Sequence, residues 1–307
     1  MKLTRLFLCS FRRRLLPAIL TIALGLSCLH AQTVGWQEAV KSAASRDPDA
    51  RILVLDVATN RILAAYQLGE AARTLAAPGS TLKPLVLYSL IAAGQWDPTR
   101  RVACTRKLMI AGHRLACPHP LASPFDAREA LTWSCNTYFA HVAETLPPGE
   151  LGQMLRRTAL LGATGLARDE ATADFREPQN AAEEQLAVLG VVGVRVTPLE
   201  LAEAYRWLAL QMAAHLQSGA SQVVMSGLRD SAAYGMSDEV HLEGVRVAGK
   251  TGTAEDLNSS RTHGWFVGLA PAGNPQVVVT VFVPSGRGAD AAHVAGVLLK
   301  HAPVGRR

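Results

Sequence analysis

The amino-acid sequence predicts an α/β (α+β) protein whose sheet is built from both ends of the chain, with a block of helices inserted between them. Three observations predict it. Strand-type runs occur at 51–67 and again between 245 and 283. Apolar residues between 126 and 216 recur mostly at helical spacing. A Pro78-Gly79 break separates the first strands from the helical stretch beginning at Ser80. The expected lobes are a sheet lobe of about 50–95 plus 240–307 and a helical lobe of about 96–239. A cleft between two such lobes is a common place for an active site.

Element by element, Arg51 to Asp56 (RILVLD) reads as a strand, Ala58-Thr59-Asn60 as a turn, and Arg61 to Gln67 as the hairpin partner. Ser80 to Ala93 has helical character and stops near Gly94. Arg128 to Thr145, Gly149 to Leu161, Ala181 to Val188 and Leu199 to Leu216 are candidate helices. Val245 to Thr253, Gly264 to Ala270 and Val277 to Val283 read as strands, the last (VVVTVFV) strongly β-branched. Ala289 to His301 closes the chain as a helix.

The N-terminus stands apart. Lys2, Arg5, Arg12, Arg13 and Arg14 precede an almost wholly apolar run from Leu15 to Leu29, and Ala31 offers a small residue for cleavage. Residues 1–31 are therefore expected to be a signal peptide or a membrane anchor, the run being near the short limit of roughly 17–25 residues for a bilayer span. The expected location is periplasmic or otherwise extracytoplasmic, either secreted or held on the cytoplasmic membrane. Those five residues account for most of the charge: 31 basic residues less 5 leaves 26 against 25 acidic, a net of +1 for the remainder, because no acidic residue precedes Glu38. The positive balance reflects export, and no nucleic-acid partner is expected.

Three short motifs carry chemistry. In Ser80-Thr81-Leu82-Lys83, a serine at a helix start lies in the positive field of the helix end, and a lysine one turn on projects from the same face. Partly desolvated, that lysine can act as the base for the serine. Ser134-Cys135-Asn136 comes after a helical run from Ala127 to Trp133 and offers two alternating polar side chains to a cleft. Lys250-Thr251-Gly252-Thr253 sits in a strand pattern; it supplies a cation, hydroxyls and a glycine along which a substrate backbone can lie. Gly244 to Thr251 (GVRVAGKT) also fits a phosphate-loop pattern literally, but Gly252 stands next to it and strands succeed it, where a phosphate loop opens a helix.

Together, and in this order, the three motifs resemble those of the penicillin-binding protein transpeptidase domain, in the larger class of serine enzymes that includes serine β-lactamases. Pro78 to Pro84 (PGSTLKP), Ser134 to Phe139 (SCNTYF), Val196 to Tyr205 (VTPLELAEAY), Ala248 to Glu255 (AGKTGTAE) and Gly264 to Pro271 (GWFVGLAP) are similar to segments of the class B proteins, the elongation type above all. The resemblance covers roughly 50 to 300 and implies a β-lactamase/D,D-peptidase-like fold, with an antiparallel sheet flanked by helices and an inserted all-helical lobe. It implies that Ser80 attacks a D-Ala-D-Ala peptide bond, Lys83 takes its proton, Ser134 relays a proton and Asn136 binds the substrate amide. Lys250 would support Ser134, Thr251, Gly252 and Thr253 would hold the substrate and its terminal carboxylate, and the N–H groups of Ser80 and Thr253 would form an oxyanion hole. No cofactor is required for that chemistry. The implied partners are peptidoglycan peptides, β-lactam antibiotics and a membrane glycosyltransferase. The alternatives are a D,D-carboxypeptidase, a serine β-lactamase or a non-catalytic penicillin-binding sensor.

Departures from the pattern bear on these alternatives. Little besides the catalytic domain succeeds the leader, the stretch between Leu216 and Val245 is short, and Gly190-Val191-Val192-Gly193 replaces a glycine- and glutamine-containing signature. Arg176-Glu177-Pro178-Gln179-Asn180 superficially resembles the segment of class A β-lactamases that activates the deacylating water, but Asn180 stands three residues after Glu177 instead of four, and the segment reads as an exposed loop.

Cys9 and Cys28 lie in the leader; Cys104, Cys117 and Cys135 do not. Outside the cytoplasm a Cys104–Cys117 disulfide is one expectation. Three thiolates and the imidazole of His119 (Cys104, Cys117, His119, Cys135) form a tetrahedral structural zinc set, which is the other, with His113 as an alternative fourth ligand. Some elongation-type relatives are similar in carrying a metal in this segment.

Overall fold

The computed structural model describes residues 33–117, 119–120, 124–255 and 261–304. The expected signal or anchor at 1–31 lies outside the described residues, and among those described no helix is long and apolar enough to cross a membrane.

Residues 33–44 are helical (α1) and lead into the hairpin of β1 (Arg51–Asp56) and β2 (Ile62–Tyr66). After a single turn, α2 (Leu68–Ala71), the chain enters a 3₁₀ turn at Gly79–Leu82 that runs straight into α3 (Lys83–Ala92). The middle of the chain holds a small hairpin of β3 (Lys107–Ile110) and β4 (His113–Ala116), then α4 (Ala127–Thr132), α5 (Asn136–Ala143) and α6 (Glu150–Arg157). Next come β5 (Asp174–Phe175), α7 (Ala181–Val188), β6 (Val194–Arg195), α8 (Pro198–Ala214) and α9 (Gly219–Ala233). The chain closes with β7 (Ala248–Glu255), β8 (Thr262–Ala270), β9 (Val277–Val283) and α10 (Gly288–His301).

The two ends of the chain meet in one antiparallel five-stranded sheet of order β2-β1-β9-β8-β7. β1 pairs with β9 along its whole length, from Arg51 opposite Phe282 to Asp56 opposite Val277. The run VVVTVFV is apolar except at Thr280 because both faces of β9 are buried: Val279 and Val281, with Ile52 and Val54, pack towards α1 and α10, while Val278 and Phe282, with Leu53 and Leu55, face the helical block. α8 lies along β9, β1 and β8 and α9 against β7, so helices from within 96–239 are part of the sheet's cover. β7 is left at the edge of the sheet.

Four features differ from the expectations. The helix expected over 128–145 is two helices, because Ser134 adopts a left-handed conformation (φ 54°) between α4 and α5. α4 is fixed at its start by Asp126 and Glu129, which cap each other's backbone N–H groups reciprocally. α9 fills the short interval between Leu216 and Val245; rich in Ser, Gly and Ala, it buries a narrow stripe of Ala220, Val224, Leu228 and Ala232, and its start is marked by Ser218, which accepts from the Ser221 N–H. α1 and the β3–β4 hairpin also carried no sequence signal strong enough to be expected.

Candidate active site

Ser80 sits in a turn clamped by backbone on three sides. Gly79 has φ 55°, and its N–H donates to the Gly190 carbonyl at 2.9 Å. A Cβ on Gly190 would run into the Gly79 carbonyl, and one on Gly252 would stand 2.6 Å from the Pro78 carbonyl. A Cβ on Gly79 itself would lie 3.0 Å from the Thr253 carbonyl. The Gly190–Gly193 segment, where the sequence departs from the class B pattern, thus packs against the serine turn through main chain alone. One residue before Pro78, the Ala77 carbonyl accepts from both His263 Nε2–H at 2.8 Å and Trp265 Nε1–H at 2.9 Å. Tyr205 donates to the Thr81 carbonyl at 2.9 Å. Tyr205 and Trp265 belong to the VTPLELAEAY and GWFVGLAP segments and His263 stands one residue before the latter; sequence reasoning matched the segments but assigned these residues nothing.

Lys83, the first residue of α3, is fully buried. Its Nζ donates to Asn136 Oδ1 at 2.6 Å and to the Ser134 carbonyl at 2.9 Å, and lies 3.4 Å from Ser134 Oγ. The left-handed Ser134 is what allows its carbonyl, its hydroxyl and the Asn136 amide to address one amine. Burial lowers the Lys83 pKa to about 8, opposed by the nearby Cys117 and Cys135 thiols.

Lys250 is also fully buried and donates to the Thr251 carbonyl at 3.0 Å. Burial first, and the charge of Lys83 second, push its pKa well below the usual lysine value. The Thr251 hydroxyl is turned into the fold, where it donates to the Met236 carbonyl at 2.9 Å and meets Ser237 Oγ at 3.2 Å. Thr253 is exposed, and its Oγ1 accepts from the Gly288 N–H at 2.9 Å. The motif residues therefore divide: Gly252 packs on the serine turn, Thr253 opens to the cleft, and Thr251 braces the strand. From Thr253 the cleft continues as a cavity of about 620 Å³.

Cys104, Cys117, His119 and Cys135 converge, with their four ligand atoms all within 4.8 Å of one another. No disulfide joins Cys104, Cys117 and Cys135, so the expected Cys104–Cys117 bridge is not made. His113 stands exposed at the start of β4, outside the cluster, and is not its fourth member. The set suits zinc. His119 Nδ1–H donates to the Pro120 carbonyl at 2.8 Å, which leaves Nε2 facing the cysteines, 3.3 Å from Cys104 Sγ. The N–H groups of Arg106 and Asn136 donate to Cys104 Sγ and Cys117 Sγ. A hydrogen bond between Cys117 and Cys135 holds the Cys117 thiol well below its ordinary pKa and pushes Cys135 up, so one proton is shared by the pair. The cluster also touches the site: Asn136 Nδ2 donates to the Ala116 carbonyl at 2.8 Å, one residue before Cys117.

Glu177 is not in an exposed loop. It is half-buried against Gly152 of α6, and its Oε1 and the Oε1 of Glu184 are both buried with no hydrogen-bond partner among the described residues. Burial and the proximity of Glu177 raise the Glu184 pKa to about 7.

A buried lysine following a serine turn and bonded to a Ser-x-Asn loop, with an edge strand bearing Lys-Thr-Gly, defines a fold of the β-lactamase and D,D-peptidase class. Residues 50–302 match the family model described as the penicillin binding protein transpeptidase domain, and the chain belongs to that family. It is 27% identical over 267 residues to the peptidoglycan D,D-transpeptidase PbpA of Mycobacterium tuberculosis, a match covering 75% of this chain and 53% of that one. With the probable peptidoglycan D,D-transpeptidase PenA of Neisseria flavescens the identity is 28%, over 88% of this chain and 78% of that one. The chain thus spans about half the length of its mycobacterial relatives. The fold is shared with the transpeptidase domain of Burkholderia pseudomallei penicillin-binding protein 3 (TM-score 0.76, 21% identity, 89% of this chain and 93% of that one). It is shared also with PBP2 of Pseudomonas aeruginosa (TM-score 0.72, 22% identity, 86% and 76%).

Proposed function

We propose that this protein is a serine D,D-transpeptidase of peptidoglycan synthesis, acting outside the cytoplasm on stem peptides that end in D-Ala-D-Ala. One observation carries the reading: Lys83 is buried, has a lowered pKa and is gripped by Ser134 and Asn136 beside the Ser80 turn. A neutral lysine amine has two N–H bonds and one lone pair. The Asn136 amide oxygen and the Ser134 carbonyl occupy the two donors, which directs the lone pair at a hydroxyl.

In this mechanism Lys83 takes the proton of Ser80 Oγ as that oxygen attacks the penultimate D-Ala carbonyl. The N–H groups of Ser80 and Thr253 stabilise the oxyanion, each such donor contributing about 3–4 kcal/mol. The C–N bond then breaks as Ser134 gives its proton to the departing D-Ala amine and takes in its place the one that Lys83 received from Ser80. The acyl group on Ser80 is resolved by the amine of a second stem peptide, or by water when the enzyme acts as a carboxypeptidase. Lys250 supplies positive potential behind Ser134 and the edge of β7. Thr253 and the Gly252 main chain take the terminal carboxylate, with Thr251 fixing the strand. Glu177 faces α6, which supports slow deacylation over β-lactam hydrolysis.

Zinc held by Cys104, Cys117, His119 and Cys135 would staple the β3–β4 hairpin to the start of α5 and so keep Asn136 in place. The N-terminal segment as leader or anchor, and a membrane glycosyltransferase as partner, complete the proposal.

The test is a fluorescent penicillin tracked by mass spectrometry. A persistent adduct on Ser80, absent in Ser80→Ala, is expected. Rapid turnover of the adduct would instead identify a β-lactamase, and wild type without any adduct would sink the catalytic reading.

A further inference from the structure

A separate cavity of about 320 Å³ lies between the last turns of α9 and the stretch from Val240 to Val247 that leads into β7. Its volume is at the small end of the range for ligand sites, about 300–1,000 Å³. Ala232, Val240, Val245 and Val247 give it an aliphatic floor, and all four are buried in the core on the α1–α10 side of the sheet. Its rim is charged. Arg229, Glu243 and Arg246 stand exposed there, and among the described residues none of the three makes an ion pair or a side-chain hydrogen bond. Asp230, also in the wall, is taken by Arg128 at 2.6 Å, so it leaves the two guanidiniums unmatched.

These groups narrow what fits. An unpaired guanidinium presents a fork of N–H donors that matches a carboxylate. The unpaired carboxylate of Glu243 accepts from an ammonium. An aliphatic floor favours methyl groups over water. The likeness to a phosphate loop is confined to the sequence: from the turn at Glu243-Gly244, where Gly244 has φ 78°, the chain runs on into β7 and opens no helix. We propose that this cavity is a second binding site, for a short peptide with free ends. Arg229 and Arg246 hold its carboxylate, Glu243 its ammonium, and the floor its methyl groups. The site is apart from the cleft but joined to it. Ser231, between the lining residues Asp230 and Ala232, meets Ser237 Oγ at 2.9 Å, and Ser237 Oγ accepts from the Thr251 N–H at 3.0 Å. A ligand that ties α9 to Arg246 thereby steadies the strand that carries Lys250. The site goes beyond the acyl-transfer reading and does not depend on it.

The test is a calorimetric titration of the full chain with D-alanyl-D-alanine, the dipeptide that ends the proposed substrate. Ser80 is first acylated with penicillin, so that the cleft is filled. Saturable binding is expected, with slowed hydrogen exchange across 229–247. Arg229→Ala and Arg246→Ala should each weaken it about tenfold, the loss of one charge-assisted hydrogen bond, and Arg246→Lys should keep part of it. Glu243→Gln should weaken binding of the free dipeptide and leave that of its N-acetyl derivative, already weak, unchanged. Arg61→Ala, exposed between β1 and β2, should bind as wild type does. All four positions are exposed, so an unchanged Tm should accompany each variant. No binding in wild type, binding that survives Arg229→Ala and Arg246→Ala combined, inorganic phosphate binding as tightly as the dipeptide, or protection confined to the cleft would each overturn the site. Should penicillin leave Ser80 unlabelled, the same titration on the free protein judges the cavity alone, so failure of the acyl-transfer reading and failure of this one are told apart.

Discussion

At the scale of single residues, reactivity is concentrated in the protonation state of Lys83. Burial lowers its pKa to about 8, the first cause being loss of hydration for the ammonium. In the proposed mechanism the base is the neutral amine, which is the minority form below that value and the majority form above it. The rate of acylation of Ser80 by a β-lactam should therefore climb close to tenfold per pH unit on the acid side and level off above about pH 8, as measured by adduct formation across a pH series. Lys83→Met, of similar volume and without the base, should lower the plateau by about 10²–10⁴-fold, the range for a lost general base. A residual rate within tenfold of wild type would reassign the base. The left-handed Ser134 belongs to the same scale. Its sequence context shows a polar tripeptide after a helical run; the backbone turn that lets one lysine meet both Ser134 and Asn136 is a tertiary product, stabilised by the bonds made to Cys117 Sγ and the Ala116 carbonyl.

At the scale of elements, the sequence was legible wherever its pattern has a strong period. Val277–Val283 is legible because β-branched residues on both faces leave no helical reading, and Ala181–Val188 because its Asn180 cap and acidic first turn mark its start. α9 was not legible: Gly219, Ser221, Ser226 and Gly227 are weak helix formers, and the helix persists because it packs against α4, α3 and β7. The β3–β4 hairpin was hidden for a different reason. Its strands are four residues each and largely exposed, so their order depends on the anchor just beyond them, Cys117 and His119. The residue types of the candidate set were legible in the sequence, with His119 first and His113 as the alternative, and the fold brings His119 to the three cysteines and leaves His113 outside. Metal analysis of the purified protein should find about one zinc per chain, and Cys117→Ser should abolish it. The same variant, or chelation, should lower Tm by several degrees and slow penicillin labelling, since Asn136 loses the sulfur that its N–H addresses. Full metal content in Cys117→Ser would remove that residue from the set.

At the scale of the whole molecule, chain ends that are far apart in sequence share a sheet, and the site lies where that sheet's edge meets the helical block. The α1–α10 face is remote from the chemistry. Leu298 is buried there, and Leu298→Ala should lower Tm by roughly 5–15 °C, the shift that a cavity costing ~2–5 kcal/mol gives a domain of this size. Below the transition, labelling of Ser80 should proceed as in wild type; a matching loss of labelling would show that the two faces of the sheet are mechanically joined. The junction of Gly79, Gly190 and Gly252 has a further consequence. Three strands of main chain meet beside Ser80 with no room for a side chain at any of the three positions. An inhibitor that draws its contacts from amides and carbonyls there meets a surface that single substitutions cannot reshape without dislodging the nucleophile. Escape from such a compound would have to arise elsewhere, among the side chains that line the approach.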